Sequence, residues 1–324
     1  MTWLTAFLSQ SMVHALVAAL VVDGLVRAWR LEDAAWRLRL RWLPIALPVA
    51  WLPVVFLCAP WRQAPWFAAR CAVFAGERWN LLHVGPMGLG TLLLVVAAGA
   101  GSGLFLRDAV PPLLEQLRRG PPPLDGPWAA VPDAIARRVD RLSGRLGTEP
   151  PAIQLIRRAS PVLLCTGGPH ASLVISTGTI DRLGDDELEA ALAHELAHAA
   201  FRDPACSYLL MAARAAMFFN PAVQWTGRVL VDEMERRADQ ASVRLVGNAP
   251  ALARAIALLF RAGDPPPVDR NASFERVFWR TRLAGVQGRC RRLTGAFPPP
   301  GLADGPFRFG VAAVGLAAVL FFVV

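Results

Sequence analysis

Four stretches of this 324-residue sequence are apolar for long enough to approach the width of a bilayer, and this restricts the chain more than any other feature. A helix needs about 20 predominantly apolar residues to cross the hydrocarbon core. Residues 3–26, 42–59 and 85–106 meet or approach that length, and 306–324 forms a shorter fourth stretch. The second carries Pro44, Pro48 and Pro53, so a kinked helix is expected there. In the third, Gly99 and Gly103 have the small-xxx-small spacing that lets helices pack closely. A hydrophobic content of 54% against 18% charged residues agrees with a membrane protein. No basic residue precedes the first stretch and no small-residue cleavage pattern follows it, which argues for an anchored helix over a cleaved leader.

The net charge of +9 comes entirely from arginine, since the chain has 34 basic residues and no lysine. Without a soluble recognition module around them, arginines flanking apolar stretches read as membrane topology, and direct nucleic-acid binding is not expected. Arg27, Arg30, Arg37, Arg39 and Arg41 follow the first stretch, and no arginine precedes it. The positive-inside rule then places that loop in the cytoplasm and both chain termini outside, in a multi-pass protein of the inner membrane. Cys58, Cys71, Cys165, Cys206 and Cys290 form no CxxC pair. Cys58 and Cys71 fall on the same outer side, where either a disulfide or two separate thiols would fit.

Residues 107–128 make a proline-rich linker, and 129–305 a domain on the cytoplasmic side. In that domain Ile135, Val139, Leu142 and Leu146 recur at helical spacing, with Gly147 as the stop. Short β-prone runs at 152–157, 162–165 and 172–176 predict a small sheet. A helix over 186–201 follows Asp185 as its cap, and a second runs from the Asn220-Pro221 start to Val246 before Gly247. The arginine-rich stretch 274–293, with Phe278 and Trp279, is either an amphipathic helix lying on anionic lipid or a packed helix with a basic face. The expected fold class is a mainly α membrane protein. About four transmembrane helices carry an α+β, zincin-like HExxH domain inserted between the third and fourth.

The chemistry-bearing pattern is His194-Glu195-Leu196-Ala197-His198, in the middle of a predicted helix. Four residues make just over one turn, so both imidazoles project from one face and can share a metal ion, with Glu195 on the neighbouring flank as general base. A catalytic zinc needs a third protein ligand, and Glu235 in the run Glu235-Arg236-Arg237-Ala238-Asp239 is the best candidate. Asp239 lies one turn further on, where its carboxylate can accept the outer ring proton of a ligating histidine. One Zn2+ per chain is expected.

Three segments together carry a resemblance: HELAHAAFRD from His194 to Asp203, FNP from Phe219 to Pro221, and EMERRAD from Glu233 to Asp239. With the arrangement of apolar stretches, they resemble the membrane zinc metallopeptidase family of the β-lactam-responsive sensor-transducers, the antirepressor proteins of penicillin and methicillin resistance. The prenyl-protein and heat-shock membrane proteases share similar HExxH and ExxxD elements; Arg202-Asp203 and Asn220-Pro221 favour the first family. The resemblance implies a cytoplasmic-side zinc endopeptidase acting on a protein or peptide substrate, with a transcriptional repressor as one candidate and membrane lipid as surroundings. A quality-control protease for membrane proteins and a non-proteolytic, zinc-braced transducer are the alternatives. By comparison with related zinc peptidases, Ser172, Leu173, Val174, Ile175 and Ser176 resemble the edge strand along which an extended substrate aligns. Tyr208 and His170 are candidates for the oxyanion-stabilising group, while His14 and His83 read as packing or interfacial residues. The sensors also carry a penicillin-binding domain with an SxxK serine after the fourth span. This sequence reaches Val324 without one and has no lysine, so direct β-lactam binding is not expected.

Overall fold

A computed structural model describes residues 3–72, 80–108, 110, 128–165, 172–263, 273–295 and 305–323. The chain divides into two compact units, one formed by Met1–Gly120, Leu209–Glu233 and Pro300–Val324, the other by Pro121–Tyr208 and Met234–Pro299. Residues 111–127 of the expected linker lie outside the described residues.

The first unit opens with two helices, α1 (Trp3–Ala28) and α2 (Ala34–Cys58). A 3-10 turn (Pro60–Gln63), a short α3 (Pro65–Arg70) and a two-strand hairpin, β1 (His83–Val84) with β2 (Met87–Gly88), lead to α4 (Leu89–Asp108). Residues Phe7–Ala28 of α1 and the whole of α4 are long and apolar enough to cross a membrane. The chain's last helix, which becomes α12 below, is a shorter apolar helix, Gly305–Phe321. Helix α2 begins at Ala34, well before the expected residue 42, because Asp33 caps it: its carboxylate accepts from the backbone N–H of Ala35 and Trp36. Arg37, Arg39 and Arg41 are therefore helical and not part of a loop. The three prolines sit inside a continuous helix.

Ala18, Val22 and Val26 pack with Leu40, Leu43, Ala312, Leu316 and Leu320 in one apolar cluster. Next to it, the Arg37 and Arg41 guanidinium groups converge on the buried Glu233 at 2.6 and 3.2 Å, and Arg41 also reaches Asp23 at 2.9 Å. The close helix approach expected of Gly99 and Gly103 falls instead on Gly101. Nothing lies within 4 Å of where a Cβ at either flanking glycine would sit, whereas one at Gly101 would overlap the carbonyl of Phe219.

The second unit contains β3 (Trp128–Ala129), α5 (Asp133–Leu146), β4 (Ala152–Ile156), β5 (Leu163–Cys165), β6 (Ser172–Ser176), α6 (Thr177–Arg182) and α7 (Asp185–Ala200). Then come α8 (Asp203–Ala216) and α9 (Pro221–Val246), through which the boundary between the units passes, and α10 (Ala249–Gly263) and α11 (Ser273–Thr294). Gly147 and Gly247 end α5 and α9 with φ of +70° and +77°, a conformation in which a side chain is strained. Helix α7 begins at Asp185 itself; Gly184 holds the cap position, and its N–H donates to Glu187 at 2.9 Å.

The sheet order is β3-β4-β6-β5. Strand β6 pairs with β4 in parallel and with β5 antiparallel, so Ser172–Ser176 is an inner strand and not the expected edge. Its composition explains why: Leu173, Val174 and Ile175 are all buried, an apolar run on both faces that suits a covered central strand. The terminal strand on that side is β5. Leu173 and Ile175 join Ile135, Val139 and Leu142 of α5 and Leu188, Leu192 and Leu196 of α7 in the core of the unit.

Candidate metal centre

Helix α7 turns its leucines into that core, which leaves the face one turn apart, His194 and His198, to form the site. The two Nε2 atoms point at each other 3.1 Å apart, and their rings meet edge to face with centroids 4.6 Å apart. A carboxylate stands behind each ring. Asp239 Oδ1 is 3.1 Å from His194 Nδ1, and Asp203 Oδ2 is 2.8 Å from His198 Nδ1. Each imidazole turns Nδ1 toward a carboxylate, hydrogen-bonded in the case of His198, and presents Nε2 inward. Glu235 completes the group at 3.6 Å from both Nε2 atoms. One ligand atom from each of His194, His198 and Glu235 lies within 4.8 Å of the others. Two imidazole nitrogens and a carboxylate aimed at one point, with their outer partners in place, fit a zinc ion.

Glu195 is buried beside them, and its Oε2 accepts from the Cys165 N–H of β5 at 3.2 Å. Burial raises its pKa above the ordinary carboxylate value, with the two histidines pulling the other way. The Cys165 thiol is pushed up to about 12 by burial and by Glu195, which keeps it protonated and non-nucleophilic. For His194, burial disfavours the imidazolium, but Asp239 and Glu235 outweigh it and lift the pKa to about 9. Burial alone would raise Glu235 and Asp239, yet the His194 hydrogen bonds and the Arg289 charge bring both well below the usual carboxylate range.

Three elements of the site have no clear signal in the sequence. Arg289 of α11 donates to Glu235 Oε2 at 2.6 Å and grips Asp239 with two hydrogen bonds, at 2.6 and 3.1 Å. It is one arginine among several in its stretch, far along the chain from the motifs, and no spacing singles it out. At the C-terminal end of the stretch 274–293, Leu293 and Arg289 are turned into the domain, while the side chains of Phe278 and Trp279 lie outside the described ones. Asp203 was legible only as part of a motif. Arg202, at φ +56°, turns the chain so that α8 starts with Asp203 under His198, and Arg237 pairs with Asp203 from the other side. The third is β5, whose amide holds Glu195. Tyr208 is exposed, His83 is exposed on β1, and His170 lies outside the described residues. His14 is buried with Nε2 against the Val323 carbonyl at 2.9 Å, a packing role. None of the five cysteines forms a disulfide.

Residues 150–259 match the family described as BlaR1 peptidase M56. The chain is similar to a protease HtpX homolog of Nostoc punctiforme, 28% identical over 187 residues, or 47% of this chain and 65% of that protein. A protease HtpX homolog of Ralstonia nicotianae is 33% identical over 142 residues, 42% of this chain and 49% of the relative. Protease HtpX of Legionella pneumophila is 42% identical over 67 residues, 20% of this chain and 24% of the relative. The chain thus spans under two thirds of the length of these relatives. The stretch that matches the family described as BlaR1 peptidase M56, residues 150–259, holds both histidines, Glu195, Glu235 and Asp239.

Proposed function

We propose that this chain is a membrane-bound zinc endopeptidase that cleaves a cytoplasmic regulatory protein. The observation that carries this reading is the convergence of His194, His198 and Glu235 with the buried carboxylate of Glu195 alongside. A zinc ion held by those three residues supplies a Lewis acid that acidifies water and polarises the scissile carbonyl. Glu195 takes the proton of the attacking water and delivers it to the departing amine. Asp239 and Asp203 fix the tautomers of the two histidines. β5, the terminal strand and the one bonded to Glu195, replaces Ser172–Ser176 as the strand along which an extended substrate aligns. The arginine distribution supports four spans with the peptidase domain inside.

The full chain in bilayers is expected to carry one zinc, to lose cleavage on chelation and to regain it with zinc. A preparation free of transition metal that still cleaves would refute the zinc-peptidase reading. Comparing proteomes with and without an inactive Glu195→Gln protein separates two roles. One stabilised DNA-binding protein supports signalling, whereas a broad set of damaged membrane proteins points to quality control.

Arg289 holds the third ligand and the partner of the first histidine together, so its loss should be felt in catalysis. Arg289→Ala is expected to lower activity or metal affinity by roughly 10–100-fold. Arg289→Lys should recover only part, because an ammonium cannot grip Asp239 through two nitrogens at once. Unchanged zinc affinity and turnover in Arg289→Ala would show that the ligands position themselves.

A further inference from the structure

Between Leu209 and Val231, on α8, the turn after it and the first part of α9, polarity is turned inside out. Every exposed residue there is apolar: Leu209, Ala212, Ala215, Ala216, Phe218, Trp225 and Val231. The polar side chains are turned inward: Arg214, Asn220, Gln224 and Thr226 are buried, and Arg228 is half-buried. Arg214 donates to Gln224 at 3.0 Å, and Gln224 in turn donates to the carbonyls of Arg214 and Met217 at 2.9 and 3.1 Å. Asn220 is fully buried; it caps α9 and donates to the Ser11 carbonyl of α1 at 3.1 Å. Arg228 is paired with Asp108 at the end of α4. In water such a pattern sets apolar surface against solvent and consumes polar groups inside. In hydrocarbon it is the stable arrangement, because polar side chains must find partners within the bundle.

The neighbours of the segment point to the same solvent. The Phe219–Asn220 turn lies against Gly101 of α4, so close that a Cβ there would overlap it, and Asn220 reaches α1 at Ser11. Both are the helices long and apolar enough to cross a membrane, and α4 exposes Leu93, Val95 and Val96. The apolar surface of 209–231 therefore continues theirs.

We infer that residues 209–231 form a re-entrant helical hairpin seated in the lipid beside α1 and α4, with acyl chains covering Leu209, Phe218, Trp225 and Val231. From Leu209 to Asn220 the hairpin is about 15 Å deep at 1.5 Å per residue, roughly half of a ~30 Å hydrocarbon core, so it enters and returns on one side. This revises the topology read from the arginines, which left everything between the third and fourth spans in the cytoplasm. It does not depend on the proteolytic reading.

The test uses the full chain, cleared of its five cysteines and reconstituted in phosphatidylglycerol–phosphatidylethanolamine bilayers, with a nitroxide at Phe218→Cys or Trp225→Cys. Val95→Cys on α4 serves as the lipid reference and Asp140→Cys on α5 as the water reference. Collisions with oxygen are expected to exceed those with a water-soluble nickel chelate at 218 and 225, as at 95, with the order reversed at 140. A water-like ratio at 218 and 225 overturns the proposal. Exclusion of both reagents overturns it too, since that marks a face covered by protein. If the cysteine-free chain fails to fold, a lipid-phase carbene probe on the unaltered chain answers the same question. Labelling of 209–231 supports the inference, and its absence while α4 is labelled refutes it.

Discussion

Glu195→Gln is expected to lower peptide cleavage by about 10²–10⁴-fold while leaving zinc at one per chain, the range lost when a positioned general base is removed. Glutamine keeps the length of the side chain and a carbonyl oxygen that can still accept from the Cys165 N–H, so the local geometry should persist. It cannot take a proton. Because His194, His198 and Glu235 are untouched, metal content measured by elemental analysis should match that of the unaltered protein. The decisive reading is kcat on a reporter peptide together with zinc stoichiometry. Turnover within tenfold of the original would remove Glu195 from the mechanism, and loss of zinc would mean that it acts as a ligand.

The second large effect concerns stability. Glu233 is buried and receives two arginines, with Arg37 bonded to both of its oxygens at 2.6–2.9 Å and Arg41 at 3.2 Å. Removing one partner of a buried ion pair leaves uncompensated charge, at a cost of about 3–5 kcal/mol. Here Asp23 still pairs with Arg41, so Glu233→Ala should fall near the lower end of that range. Arg27→Ala makes the natural control. Its ion pair with Asp23 is on the surface, the arginine side chain being 79% exposed, and such pairs contribute at most about 1 kcal/mol. Thermal unfolding in detergent should rank Glu233→Ala far below Arg27→Ala. Equal midpoints would mean that the cluster contributes little.

What was legible in the sequence follows the range over which each signal acts. The spacing within each pair, His194 with His198 and Glu235 with Asp239, is one helical turn and so legible locally, whereas the approach of Glu235 and Asp239 to the histidines is a matter of packing between two helices. Helix ends with glycine or Asn-Pro signals, at Gly147, Asn220-Pro221 and Gly247, also fall where expected. Three features resisted. The start of α2 depends on a cap at Asp33 that lies among charged residues, where hydropathy does not look. Strand order is a matter of pairing partners distant in sequence, so a likeness to related zinc peptidases makes Ser172–Ser176 an edge, whereas its buried Leu173, Val174 and Ile175 make it an inner strand. Arg289 joins the site only through the packing of α11, and an arginine-rich segment hides which guanidinium turns inward.

The hydrogen bond from β5 to Glu195 comes from the peptide backbone and not from the Cys165 side chain. The restraint on the base therefore does not depend on which side chain residue 165 carries, provided that it still fits against the core on which Cys165 packs. Proline is the exception, for it has no N–H to offer. Relatives that differ at this position can keep the same chemistry, because the restraint is inherited with the strand itself.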